Sequence, residues 1–143
     1  MIGEIDVDGV GRALRETNRV AIAPHFRSLS AGDVEEKAAG ELVTVADRAA
    51  ESFLGPLLRH IVDAPVLGEE AASADPSLLD LAEASGPVWL IDPIDGTTNF
   101  ADGSSVYAVM VALVVDGWTE AAWILQPRHD RLIVAVRGAG AMI

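Results

Sequence analysis

The stretch from Trp89 to Phe100, WLIDPIDGTTNF, runs an apolar strand straight into two acids, Asp92 and Asp95, and then into glycine and hydroxyls. Pro93 fixes its own φ and stiffens the step between the acids. Gly96 permits a sharp turn. Thr97 can then cap a short helix, which leaves the backbone N–H groups of Gly96 and Thr97 pointing outward, as at other anion-binding helix starts. Carboxylates beside an anion site make chemical sense when a hard cation lies between them. Mg²⁺ takes oxygen ligands and pairs one or two carboxylates with substrate phosphate. A plainer reading stays open: Asp-Pro and Asp-Gly both favour turns, and Asp95 could cap a helix. The Gly-Thr-Thr-Asn run, and a second acid pair at Glu69 and Glu70, favour the cation.

Outward from this stretch, Val88 to Ile91 reads as a buried strand, and APVLGEE before it holds a short strand ending in acids. AASADPSLLDLAEASGP reads as a connection with one helical turn after Pro76. Downstream, Val106–Val115, Trp118–Leu125 and Leu132–Val136 read as strands. Asp116 and Gly117 between apolar runs predict a tight hairpin. The first half reads helical. Val10, Leu14 and Ala21 share one face of a first helix that Pro24 ends near Ala23. The polar SLSAGDVEEKAAGE follows as a loop. Ala46, Ala50, Phe53, Leu57 and Ile61 recur at helical spacing in a second helix. Thr44 is its N-cap, with Asp47 at capping-box distance. The expectation is an α+β fold, two helices packed on an antiparallel sheet.

The chain has 143 residues, enough for one domain with a core, and half of them are apolar. Its 22 acids against 10 lysines and arginines give a net charge of −12. That balance argues against a nucleic-acid or anionic-membrane partner. With no cysteine, disulfides, thiolate metal sites and cysteine nucleophiles are excluded. The acidic start lacks a signal-peptide pattern and no apolar run spans a bilayer, so a soluble, cytoplasmic protein is expected.

Two further candidates carry alternatives. Asp47 is explained equally by a capping box and by a role in chemistry. Glu70 reads as a solvated or supporting acid rather than a ligand. His25, His60 and His129 read as surface or capping residues, Trp89, Trp118 and Trp123 as core, and Gly138 and Gly140 as turn residues. A haloacid-dehalogenase mechanism needs a nucleophilic aspartate two residues before Asp95, where Pro93 stands.

LVTVAD at 42–47, GEE at 68–70 and WLIDPIDGTTNF at 89–100 together resemble the motifs of the inositol monophosphatase family of Mg²⁺-dependent, lithium-sensitive phosphatases, in the family's order. The resemblance covers nearly the whole chain (residues 1–143) and implies the N-terminal half of an α/β/α/β/α layered fold, with the C-terminal half absent. It implies that Glu69, Asp92, the Ile94 carbonyl and Asp95 hold Mg²⁺, with Mn²⁺ as a substitute, Asp92 bridging two metals. It implies that Gly96 and Thr97 hold the substrate phosphate, and that Thr97 with Asp47 orients the attacking water, near Glu69. A small phosphate monoester is the implied substrate, and a homodimer or oligomer the implied assembly. Lys37 lies near a family lysine without a fixed register. The family's third essential aspartate, in a Trp-Asp motif of the second half, has no counterpart, and Asp102 stands where many members have an uncharged residue or histidine. A half-length, non-catalytic metal-binding or assembly module is therefore the alternative to a phosphomonoesterase.

Overall fold

The chain is described here by a computed structural model that covers residues 4–143. Asp6 accepts from the Gly9 amide and starts helix α1, Val7–Thr17. The coil then widens to a π turn over Asn18–Ile22 and tightens to a 3-10 turn over Ala23–His25. Thr17 is buried and its hydroxyl donates to the Ala13 carbonyl, competing with the helical ladder, while Pro24 has no amide to continue it. The expected end near Ala23 is thus reached through two changes of helical pitch.

The segment expected as a loop is a hairpin instead: β1, Val34–Ala38, pairs antiparallel with β2, Glu41–Thr44. Its outer positions are polar because little of it is buried, which hides the strand pattern. Helix α2, Val45–Ile61, follows with both halves of the Thr44/Asp47 capping box formed. Ala46 and Ala50 are buried as expected, but Leu54 and Leu58 rather than Phe53 and Leu57 are the fully buried residues of its later turns.

The main sheet has six strands in the order β3-β4-β5-β6-β7-β8. Strand β3 is Val66–Gly68, β4 Pro87–Asp95, β5 Ala108–Val115, β6 Trp118–Gln126, β7 Arg131–Val136 and β8 Gly140–Met142. Every neighbour pair is antiparallel except β3 with β4, which is parallel. A parallel step needs a crossover. Helix α3, Glu69–Ala74, and a 3-10 stretch, Pro76–Ala82, supply it, more helix than the single turn expected. Gly138 sits in the turn, whereas Gly140 opens the additional strand β8.

Helices α1 and α2 lie on one face of the sheet, and one large apolar cluster joins them to Trp89, Ile91, Val109, Leu113 and Trp123. Both tryptophans are fully buried, with centroids 6.0 Å apart. Their ring N–H groups donate to the Val62 and Val7 carbonyls, so neither is buried unpaired. Trp118 departs from expectation: it is 63% exposed at the start of β6, under the Arg137 guanidinium. On the opposite face, Leu78 and Leu81 of the crossover cover a smaller cluster at Leu67, Val88 and Val114. Among the described residues, no helix is long and apolar enough to cross a membrane.

Candidate active site

In a regular strand, residues three apart point to opposite faces. Asp92 and Asp95 do not obey that rule. Asp92 pairs with Met110 and Asp95 with Ala108, so Pro93 and Ile94 together face the single residue Val109. This bulge adds one position and returns both acids to the same side of β4. Pro93 cannot donate to a ladder, and a bulge is one of the few places a sheet accepts it. The Asp-Pro-Ile-Asp sequence is therefore the local device that pairs the carboxylates.

Gly96 follows with φ +84°, and a Cβ there would stand 3.1 Å from the Val106 carbonyl. Only glycine meets both demands without strain. Gly96, not Thr97, is the cap residue; Thr97 is the first residue of helix α4, Thr97–Ala101. The first-turn amides have no intrahelical acceptor.

The parallel register sets Gly68 beside Ile91, which brings the end of β3 next to Asp92. Glu69 leaves the sheet there as the first residue of α3. Lys37 reaches in from the hairpin. A register irregularity leaves it unpaired between Glu36 and Ala38, and its Nζ lies 3.2 Å from Glu69 Oε1 and 3.3 Å from both Glu70 oxygens. Glu70 is thus a half-buried partner of Lys37, the supporting rather than the solvated acid of the two expected. Lys37, Glu69, Asp92, Asp95, Gly96 and Thr97 line one cleft of ≈ 310 Å³.

Asp47 stands behind that cleft, fully buried. Its Oδ2 accepts from the Thr44 amide at 2.8 Å and the Thr44 hydroxyl at 2.6 Å. Its Oδ1 accepts from the Thr97 hydroxyl at 2.9 Å. One carboxylate therefore caps α2 with one oxygen and holds Thr97 with the other, so the two readings of Asp47 are compatible. The Ile94 carbonyl lies 3.0 Å from the same Thr97 hydroxyl. A hydroxyl has one hydrogen, so bonding to Asp47 leaves that carbonyl free.

The model of the inositol monophosphatase family matches residues 12–143, nearly the whole chain. The chain belongs to the inositol monophosphatase family. It is 38% identical over 122 residues to the Nus factor SuhB of Pseudomonas aeruginosa, a match covering 82% of this chain and 44% of that protein. An IMPase from Thermotoga maritima superposes with a TM-score of 0.80 at 25% identity, over 95% of this chain and 50% of that one. Staphylococcus aureus SaIMPase-II bound to inositol monophosphate superposes with a TM-score of 0.70 at 25% identity, over 94% and 45%. The chain spans about half the length of the curated relatives it matches.

Inositol monophosphatase family members are generally metal-dependent, and the acids of this chain can be tested against that requirement. Among the described residues, no three His, Asp or Glu side chains form a ready-made cage for an ion. Lys37 pairs with Glu69 and Glu70, leaving one net negative charge between them, and Asp95 is exposed. The donor chemistry nevertheless fits a hard cation. Asp92 Oδ1 is buried with no hydrogen-bond partner among the described residues, which is costly unless something of opposite charge meets it. The Asp92 carboxyl is pushed up to about 8 by burial first, then by the neighbouring Glu69 carboxyl and by the charges of Asp95 and Asp47. Asp47 is also raised, by burial, against the pull of its bonds to Thr44 and Thr97. For Lys37, burial works downward, but the pairs with Glu69 and Glu70 outweigh it and the net shift is upward.

Proposed function

We propose that this chain supplies the metal- and phosphate-binding half of a longer phosphomonoesterase acting on a small alcohol phosphate. The observation that carries the reading is the buried, unpartnered Asp92 oxygen set between Glu69, Asp95 and the Asp47–Thr97 pair. Glu69, Asp92, Asp95 and the Ile94 carbonyl would hold Mg²⁺, or Mn²⁺ in its place. When bound, such a cation offsets phosphoryl charge and makes water a stronger acid.

The protein's own groups do the rest. Thr97 donates to Asp47, so the lone pairs of its oxygen are free to accept from a water. The Thr44 cap fixes Asp47, and that in turn fixes the direction in which Thr97 offers those lone pairs. Glu69 lies on the same cleft and would take the proton the water releases. The Gly96 and Thr97 amides at the start of α4 would bind the anion, and the Lys37 ammonium would add positive charge on the same cleft. No covalent intermediate on the protein is required.

The proposed substrate class is supported by the cleft size and by the inositol monophosphate bound to the related SaIMPase-II. A second reading is supported by the Nus factor name of the Pseudomonas and Escherichia relatives: an assembly role independent of turnover. Phosphate release from several phosphomonoesters with Mg²⁺, using this chain with a co-expressed second half, decides between them. Turnover lost in Asp95→Asn supports the enzyme. No turnover on any substrate, with the complex folded and metal-bound, supports the assembly role.

A further inference from the structure

Glu51 lies one helical turn beyond Asp47, on the same face of α2, and reaches across to α3. Its Oε1 accepts from the Glu70 amide at 2.9 Å and its Oε2 from the Ala71 amide at 3.0 Å. The carboxylate thus spans the opening turn of a helix that has no side-chain cap of its own. It is seated against Gly68, where an added Cβ would stand 2.1 Å from the Glu51 carboxyl carbon and Oε1. Gly68 has φ −96° and ψ 150°, a conformation open to any residue, so it is the Glu51 carboxylate rather than the backbone that demands glycine. Glu69 sits between these contacts: Gly68 precedes it and the two bonded amides follow it.

We propose that Glu51 is a positioning residue that fixes the direction in which Glu69 leaves the sheet, and thereby the cation affinity of the centre. The proposal rests on the metal-binding reading above. Glu69 joins a three-residue strand to a six-residue helix without a buried residue, and its side chain meets Lys37 at an exposed position. Two charge-assisted bonds from a separate, well-anchored helix fix the backbone on either side of it. The hydrogen bonds of Glu51 go to backbone amides, so its positioning effect passes through the backbone of residues 68–71, and Gly68→Ala, which keeps the Glu51 charge, separates that effect from its repulsion of Glu69.

Mn²⁺ binding followed by the electron paramagnetic resonance of the free ion, with thermal unfolding in the metal-free state, tests this on the chain as it stands. The variants are Glu51→Gln, Gly68→Ala, the double variant, Asp92→Asn and, as a remote core truncation, Val134→Ala. Glutamine keeps the size but offers one acceptor. Alanine at Gly68 displaces the end of a flexible side chain and leaves the backbone free to keep its conformation, so it removes the clamp even if Glu51→Gln fails to fold. The expected result is a loss of roughly 10–100-fold in affinity for each clamp variant, as for other supporting partners of metal ligands. The double variant should lose no more than either single one, and Val134→Ala should unfold earlier with unchanged affinity. Wild-type affinity in Gly68→Ala and Glu51→Gln, with Asp92→Asn still defective, overturns the role of Glu51 alone. A wild type that binds no Mn²⁺ overturns both this role and the metal centre.

Discussion

The Thr97 hydroxyl donates to Asp47 Oδ1 at 2.9 Å, joining the helix after β4 to the first turn of α2. Fifty residues separate the two in sequence. Thr97→Ala is expected to lower kcat on the order of 10²-fold or more in the assembled enzyme. Thr97→Ser keeps the hydroxyl and should restore most of it. Stopped assays on both variants with matched melting curves check this.

Asp47→Asn should act on stability and turnover together, because the carboxylate serves both Thr44 and Thr97. Loss of the cap is expected to cost about 1 kcal/mol. Denaturant unfolding measures that part, and kcat the other. A stability loss with full kcat would reduce Asp47 to its capping role.

The raised Asp92 carboxyl makes the metal-free chain sensitive to pH. An acid whose folded value, about 8, exceeds its ordinary value near 4 binds more protons folded than unfolded between those limits. Its contribution to stability is full at low pH and is lost as pH rises through that window. Asp92→Asn should flatten the fall. Unfolding at several pH values in chelator, for both proteins, tests the sign. Added cation should reverse the trend for the wild type and release protons as it binds.

Lys37→Gln removes the charge that now pairs with Glu69 and Glu70. The metal-free protein should lose stability, while Mg²⁺ should bind severalfold more tightly because no ammonium competes for Glu69. Titration in low and high salt separates the two partners, since Glu70 is largely shielded from solvent whereas Glu69 is 44% exposed and screened by salt.

Local chemistry was legible in the sequence, and contacts across the chain were not. The Thr44 cap with Asp47 needs residues three apart, and both bonds formed. The Asp-Pro-Ile-Asp-Gly run announced paired acids and a turn, and the bulge explains the spacing. The two helices and the hairpin at Asp116 and Gly117 followed from apolar periodicity and turn chemistry. Lys37 was missed as a partner of Glu69 because the hairpin carrying it is too polar and exposed to show an alternating pattern. The sequence marks Glu51 only by its four-residue spacing from Asp47, which puts both on one face of α2. Leu54 and Leu58 displaced Phe53 and Leu57 because α2 packs against α1 as well as β4, so its buried stripe is wider than a single line of positions.

Glu69, Asp92 and Asp95 as a cation site is the central claim, and Mg²⁺ titration calorimetry on the wild type and Asp92→Asn tests it most directly. Asp92 owns the buried oxygen without a partner, so its charge should decide binding. The account predicts a measurable Mg²⁺ affinity in the wild type that is lost in Asp92→Asn while the fold is retained. Equal affinity in the two proteins would contradict it.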